Sequence, residues 1–304
     1  MILILGVTAS GKARLAFELA KQINAEIISI DSMKVYRRMD FGTAKPSPEH
    51  RRQVNYHLID VVEPSESFSV AAFLDLANQA VEQIRSKNKT VIAVGGTALY
   101  IKAMLFGLFE GPGSDHSIRD QLKQNAQDQG IEILYKQLQK IDPEAAQRIH
   151  LNDSKRIIRA LEVYQLTTKP ISSFQMQWNA EPKYDWTIIG LRREKQAENK
   201  RMNARVKKMI EAGLIDEVRS LLAEEKPLSE QARCAIGYAE IIDHLNGKTT
   251  LDETVELIKK NTRKLAKSQR TWFKTFKNVN WLDLQPDESP EQILEKAKKL
   301  LDAI

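Results

Sequence analysis

Near its amino end, the chain has residues of the types and spacing that bind phosphate. GVTASGK, residues 6–12, matches G-x-x-x-x-G-K and directly follows the apolar run of residues 1–5. In such loops, backbone N–H groups surround the anion, the next helix adds positive potential, and the lysine reaches a terminal phosphate oxygen. Ala13 stands where the motif has Ser or Thr, whose hydroxyl normally binds Mg²⁺. The stretch predicts an anion site without its usual metal ligand; the alternative is a glycine-rich turn that binds nothing.

Two more polar segments follow predicted strands. Asp31 comes directly after AEIISI (25–30), and Thr97 lies in VGGTALY (94–100). Ligands bind at the carboxyl ends of the strands in open α/β sheets. A carboxylate beside bound phosphate can act as a general base or hold a metal, and a threonine after two glycines offers a hydroxyl donor. Taken singly, Asp31 is equally explained as a cap of the next turn, and residues 94–100 as a β-turn.

The elements that must position these residues alternate between strand and helix. Strands are predicted at 2–5, 25–30, 57–62 and 90–96, and helices at 12–23 and 70–88. This alternation predicts an α/β fold, a P-loop NTPase-like parallel sheet flanked by helices.

From residue 112 to residue 182 the pattern is helical throughout, interrupted by Pro143, Pro170 and Pro182. We interpret 112–182 as a helical insertion domain. Residues 1–111 and 183–304 then form the core domain, and its second part has a strand at 185–191, helices over 197–276, a strand at 279–284 and a last helix.

Composition narrows the class of protein. The chain has 304 residues, 42% of them hydrophobic, which is enough for a substantial core. Its one cysteine, Cys234, excludes an intramolecular disulfide framework and any zinc site of several cysteines. The five histidines have no metal-ligand spacing, and no apolar run approaches the roughly 20 residues that span a bilayer. We expect a cytoplasmic enzyme without a membrane segment, and nothing indicates an obligate dimer, so we expect a monomer.

The charge is unevenly distributed. The net charge is +6, and residues 259–277 contain eight Lys or Arg and no acid. On a helix, one stripe contains Lys259, Arg263, Lys267, Arg270 and Lys274. A basic stripe opposite apolar side chains favours contact with a nucleic-acid backbone; the alternative is a solvated helix face.

Several motifs occur together in a specific order. They are GVTASGK (6–12), DSMKVY (31–36) with GTAKP (42–46), HLID (57–60), FSVAAF (68–73), VGGTALY (94–100), RIIRALEV (156–163), AIGY (235–238) and TWF (271–273). In these strings the chain resembles the tRNA dimethylallyltransferases, in their bacterial form, from Gly6 to about Trp281.

The resemblance implies a reaction. These enzymes transfer a dimethylallyl group from dimethylallyl diphosphate to N6 of the adenosine 3′-adjacent to the anticodon in tRNA, assisted by Mg²⁺. It implies catalytic roles for Lys12 and Arg233 on the diphosphate, for Thr97 at the bond that breaks, and for Asp31 as the base. The implied diphosphate loop comprises Gly6, Val7, Thr8, Ala9, Ser10, Gly11, Lys12 and Ala13.

The resemblance also implies contacts with the tRNA anticodon stem-loop. Near the flipped adenine these are Asp31, Ser32, Met33, Lys34 and Thr97. Elsewhere they are Arg119, Lys155, Arg156, Ile157, Ile158, Arg159, Thr262, Arg263 and Lys267.

The chain departs from the family pattern at functionally important positions. Val7 replaces a usual Pro, Ala13 a usual Thr or Ser, and Lys34 a usual Gln. Lysine has donors and no acceptor, so recognition of the adenine edge must differ in detail. Ala13 leaves no certain metal ligand in the loop. Two alternatives stay open: a catalytically weakened homologue that still binds tRNA, and a P-loop small-molecule kinase, which Ala13 and the basic helix disfavour.

Overall fold

The computed structural model describes residues 1–108, 111–174 and 182–303. The chain divides into two compact units, Met1–Leu105 with Tyr184–Ile304, and Phe106–Lys183. The first unit contains a sheet with its covering helices, and the second consists of helices among its described residues.

The first unit is built on a parallel sheet. In chain order, its strands in the described residues are β1 (Ile2–Gly6), β2 (Ala25–Ile30), β3 (Tyr56–His57), β4 (Thr90–Gly95), β5 (Thr187–Arg193) and β6 (Val279–Leu284). Their order in the sheet is β3-β2-β4-β1-β5-β6, and each neighbouring pair is parallel. The predicted fold class is therefore confirmed.

Helices follow most of the strands. In chain order they are α1 (Lys12–Gln22), α2 (Pro48–Gln53), α3 (Val70–Ser86), α4 (Ala98–Phe106), α5 (His116–Gln129), α6 (Ile131–Ile141), α7 (Pro143–Arg148), α8 (Ser154–Thr167), α9 (Lys195–Glu211), α10 (Leu214–Leu222), α11 (Glu230–Arg233), α12 (Tyr238–Leu245), α13 (Leu251–Phe273) and α14 (Pro290–Asp302). A search of the described residues found no helix with the length and apolar character that crossing a membrane requires.

Both faces of the sheet are covered, which explains why β1 is apolar without alternation and why every residue of β2 is buried. On one face, α1 and α14 pack against Ile2, Ile4 and Ile27 in a continuous core. On the other, α3 contacts β2 and β4, and α13 contacts β1. This second contact fixes the basic helix α13 beside the strand that precedes the phosphate loop.

The third predicted strand is wrong beyond its first residue. The strand ends at His57, because Leu58 and Asp60 adopt left-handed φ angles of 62° and 57°. Asp60 instead accepts hydrogen bonds from Lys45 (2.5 Å) and Arg51 (2.6 Å). The residues expected to extend the sheet thus hold the segment after Asp31.

The second unit has its own core, formed by apolar side chains of α5, α6, α7 and α8 with Ile171. A buried carboxylate stabilises it. Glu162 accepts hydrogen bonds from the backbone N–H of Asp115 (2.7 Å) and from Arg119 (2.9 Å) and Arg159 (2.6 Å). These partners satisfy the buried charge and tie α8 to the start of α5.

Candidate active site

The strand order brings the three predicted segments to one edge of the sheet. Because β4 lies between β2 and β1, Thr97 is positioned between Asp31 and the phosphate loop. The N–H groups of Gly96 and Thr97 donate to the carbonyl of Ile30 over 3.3 and 3.4 Å. A Cβ on Gly95 would lie 2.0 Å from that oxygen, so this close approach requires glycine.

The loop of residues 6–13 has the backbone of an anion site. Ala9 and Gly11 adopt left-handed φ angles of 61° and 102°, which turn the chain sharply before α1. No side chain caps the N-terminus of α1, so its first N–H groups face an approaching anion. The Lys12 ammonium donates to the Val7 carbonyl over 3.0 Å, which holds it across the loop.

Asp31 and Thr97 meet through the backbone of Ser32. The N–H of Ser32 donates to Thr97 Oγ1 over 3.1 Å. Asp31 Oδ1 accepts from the N–H groups of Met33 (2.9 Å) and Lys34 (3.3 Å). Asp31 therefore does cap the next turn, and this fixes one of its carboxylate oxygens. The Thr97 hydroxyl accepts from Ser32 and so keeps its own proton to donate.

Three of the cationic side chains that line the cleft, Lys12, Lys34 and Arg205, interact with Asp31. Burial, followed by the charges of Arg205 and Lys34, lowers the pKa of Lys12 to about 7. Burial also lowers the pKa of Lys34 and that of Arg205, and the negative charge of Asp31 opposes both effects. Arg205 was not predicted as a site residue; the basic run at 192–208 was the available signal. The arrangement suits a polyanionic ligand.

The cleft is large and mostly apolar beyond its charged end. Its cavity volume is about 790 Å³. Apolar side chains on its wall include those of Val94, Leu99, Val206, Met209, Ile236, Ile258 and Trp272. A smaller pocket of about 330 Å³ shares Lys12, Ala13 and Arg205 with it and adds Arg201 and Lys208. The phosphate loop thus lies where an apolar cavity meets a basic one.

Gln269 joins helix α13 to two parts of the site. Its Oε1 accepts from the N–H of Thr8 over 2.9 Å, and its Nε2 donates to the carbonyl of Gly96 over 2.9 Å. The side chain is buried. Sequence reasoning missed this residue, because a glutamine in a basic helix gives no signal of its own.

Hydrogen bonds hold the segment from Ser32 to Pro46 in place beside the cleft. Lys45, whose side chain is 2% exposed, donates to the carbonyl of Tyr36 over 2.6 Å and to Asp60. Glu217 of α10 accepts from the N–H groups of Asp40 and Phe41, each over 2.8 Å. These hydrogen bonds fix the conformation of the segment in which Lys34 lies, and this segment forms one wall of the cleft.

The basic face of α13 is partly neutralised by acids that lie outside residues 259–277. Lys259 pairs with Glu256 over 2.7 Å, and Arg270 pairs with Glu198 of α9. Of the residues predicted to bind tRNA, Arg263 donates to Asn203 over 2.8 Å, Thr262 is buried against the cleft, and Lys267 is exposed.

The predicted tRNA contacts in the second unit divide in a similar way. Ile157 and Ile158 lie in its apolar core, and Arg119 and Arg159 are bonded to Glu162. Lys155 and Arg156 are exposed at the start of α8. Of these predicted contacts, Lys155 and Arg156 are therefore the most exposed, and Arg156 also pairs with Asp153 over 3.4 Å.

Arg233 does not line the cleft. It ends the short helix α11 with its side chain exposed, while the next residues, Cys234, Ala235 and Ile236, form the wall. The helix buries Ala232 instead, which turns the neighbouring Arg233 outward. Of the described residues, the arginines that line the cleft are Arg14 and Arg205.

The side chains around the loop form a poor set for Mg²⁺. Mg²⁺ takes oxygen ligands in octahedral geometry. Ala13 supplies no oxygen, and the described charged side chains that line the cleft are five Lys or Arg and the single carboxylate of Asp31. Among the described residues, no group of three or more His, Cys, Asp or Glu could hold a metal ion. The Mg²⁺ cofactor stays a prediction from the resemblance.

Comparison with known proteins identifies the family. A family model described as IPP transferase matches residues 34–276. The chain belongs to the IPP transferase family. It is 49% identical to tRNA dimethylallyltransferase 2 of Geotalea uraniireducens over 93% of this chain and 92% of that protein. It is 43% identical to tRNA dimethylallyltransferase of Acetivibrio thermocellus over 99% of this chain and 97% of that protein.

Solved structures agree with this assignment. The tRNA isopentenylpyrophosphate transferase of Bacillus halodurans superposes with a TM-score of 0.72 at 39% identity, over 99% of this chain and 95% of that one. A eukaryotic dimethylallyltransferase acting on tRNA gives a TM-score of 0.83 at 27% identity, over 100% of this chain and 79% of that one. The resemblance found in the sequence motifs is thus confirmed.

Proposed function

We propose that this chain transfers a dimethylallyl group from dimethylallyl diphosphate to N6 of the adenosine 3′-adjacent to the anticodon in tRNA. The observation that carries the proposal is a phosphate loop opening onto a large, mostly apolar cavity that Asp31 and Thr97 also line. The names of its relatives support the same reaction. A kinase would use such a loop for a nucleotide, and no relative described above is one.

The donor binds with its two parts in different surroundings. Its diphosphate lies against the N–H groups at the start of α1 and against Lys12 and Arg205. Its five-carbon chain lies among apolar side chains such as Val94, Leu99 and Met209. Burial of that chain contributes binding free energy, and the cations favour the leaving group as its charge develops.

The reaction breaks one bond and forms another. The allylic C–O bond of the donor breaks as adenine N6 forms a bond to the same carbon, and diphosphate leaves. Thr97 Oγ1 donates its hydrogen bond to the oxygen that departs, since Ser32 occupies only its acceptor side. Asp31 takes the proton that N6 loses, through the carboxylate oxygen that does not bind Met33. Catalysis comes from orientation and charge stabilisation.

The acceptor adenine must leave its stack to reach the donor. The wall formed by Ser32, Met33 and Lys34 receives it. Exposed Lys155, Arg156 and Lys267 contact phosphates of the anticodon stem-loop. The protein acts as a monomer in the cytoplasm.

The test compares two synthetic anticodon stem-loops that differ only in adenosine or guanosine 3′ to the anticodon. Each is incubated with the purified protein and dimethylallyl diphosphate, and its nucleosides are analysed by mass spectrometry. We expect N6-(dimethylallyl)adenosine from the first stem-loop and no prenylated nucleoside from the second. Binding of the adenosine stem-loop without transfer would instead support the catalytically weakened homologue.

A further inference from the structure

One position of the phosphate loop lacks the group that binds a metal in related loops. Ala13 is the second residue of α1, and its methyl group is exposed at the mouth of both pockets. The next side chain is no substitute, because Arg14 is a cation paired with Glu18 over 2.8 Å. A metal beside the diphosphate would find no side-chain oxygen on the first turn of this helix.

The same region has an excess of side-chain positive charge. Lys12, Lys34 and Arg205 reach the cleft from α1, from the segment after β2 and from α9. Asp31 is the carboxylate that interacts with all three of them. The other two Lys or Arg side chains that the structure describes at the cleft, Arg14 and Lys45, are paired with acids outside it. When Lys12, Lys34 and Arg205 are all protonated, they and Asp31 leave a surplus of two positive charges, the charge of one Mg²⁺.

These charges repel one another when no anion is bound. Burial and the charges of Arg205 and Lys34 lower the pKa of Lys12 to about 7, and burial lowers that of Lys34. The Arg205 guanidinium donates to the carbonyl of Thr43 over 3.4 Å, a long hydrogen bond that offsets little of the repulsion. A bound diphosphate relieves the repulsion, whereas a divalent cation placed there would add to it.

We infer that Lys12, Lys34 and Arg205 neutralise the diphosphate in this chain, in the place of a protein-anchored Mg²⁺, so that donor binding does not require a divalent cation. The inference rests on the proposed function, since it concerns the leaving group of that reaction. It explains Ala13 and Lys34 together: one change removes a metal ligand and the other adds a cation to the same cleft.

The test measures binding of inorganic diphosphate to the full chain by titration calorimetry, in EDTA and in millimolar Mg²⁺. We expect dissociation constants within about threefold of each other for the natural chain. Lys34→Gln should weaken binding in EDTA at least tenfold. The matched control, Lys207→Gln, removes an exposed lysine of the same helix as Arg205 and should change nothing.

A second variant tests the same inference by restoring the missing metal ligand. Ala13→Thr restores a hydroxyl at an exposed helix position, and in the Lys34→Gln background it should make diphosphate binding depend on Mg²⁺. Binding by the natural chain only when Mg²⁺ is present would overturn the inference and leave the proposed function standing. Failure of the natural chain to bind diphosphate both in EDTA and in Mg²⁺ would overturn the inference and the proposed function together.

Discussion

Replacing Gln269 by alanine tests whether α13 holds the phosphate loop in place. The substitution removes two hydrogen bonds, each of 2.9 Å, from a side chain that is 8% exposed. It also leaves the N–H of Thr8 and the carbonyl of Gly96 without these partners. A typical bond contributes about 1 kcal/mol net, and an unsatisfied buried partner costs about 1–3 kcal/mol. We therefore expect the free energy of unfolding to fall by about 2–4 kcal/mol.

The assay is urea unfolding of the natural chain, Gln269→Ala, Gln269→Glu and the control Lys264→Ala. Glutamate keeps the acceptor for Thr8 but turns an oxygen toward the carbonyl of Gly96. The free energy of unfolding should therefore fall at least as much in Gln269→Glu as in Gln269→Ala. Lys264 is exposed on the same helix, and its replacement should cost less than about 0.5 kcal/mol. A change below that value for Gln269→Ala would refute the reasoning. The KM for dimethylallyl diphosphate should rise in both Gln269 variants, because Thr8 belongs to the diphosphate loop.

Three further predictions concern charge. The pKa of Lys12 near 7 means that diphosphate binding takes up a proton at pH 8, and the affinity for diphosphate falls up to about tenfold per pH unit above 7; calorimetry in buffers of different ionisation enthalpy measures the uptake, which should be smaller in Lys12→Met. Asp31→Asn should lower single-turnover transfer by about 10²–10⁴-fold with diphosphate affinity unreduced, and full activity would exclude Asp31 as the base. Although burial alone would raise it, hydrogen bonds from His57, Asn55 and two lysines lower the pKa of Glu26 to about 2. Its contribution of about 3 kcal/mol is present above pH 4.5 and is lost as the pH falls through 2, so urea unfolding of the natural chain and Glu26→Gln should converge at that pH.

Much of the sheet could be predicted because its strands are buried on both faces and consist mostly of apolar residues. The runs at 2–5, 25–30 and 90–96 are strands in the structure, since helices cover both sides of them. The expected strand at 57–62 failed because φ angles above zero at Leu58 and Asp60 carry no strong sequence signal for residues other than glycine. The short helix α2 was missed because it buries no residue and therefore has no apolar period.

The site was predictable where chemistry lies in a local motif. The phosphate loop, Asp31 and Thr97 come together because each follows a strand and parallel strands end at one edge. Arg205 and Gln269 were not predictable in this way, because each reaches the site from a helix far along the chain. The motif of Arg233 lies at the cleft, but its side chain is exposed and its neighbour Cys234 lines the wall. The role of Arg233 on the diphosphate stays a prediction from the resemblance.

The measurement that tests the central claim most directly counts both products of one reaction. The natural chain is incubated with an anticodon stem-loop and either dimethylallyl diphosphate or ATP, and diphosphate and N6-(dimethylallyl)adenosine are quantified in the same sample. We predict equal molar amounts of the two products from dimethylallyl diphosphate and neither prenylated nucleoside nor phosphorylated product from ATP. Phosphoryl transfer from ATP, or diphosphate release without prenylated adenosine, would contradict the account.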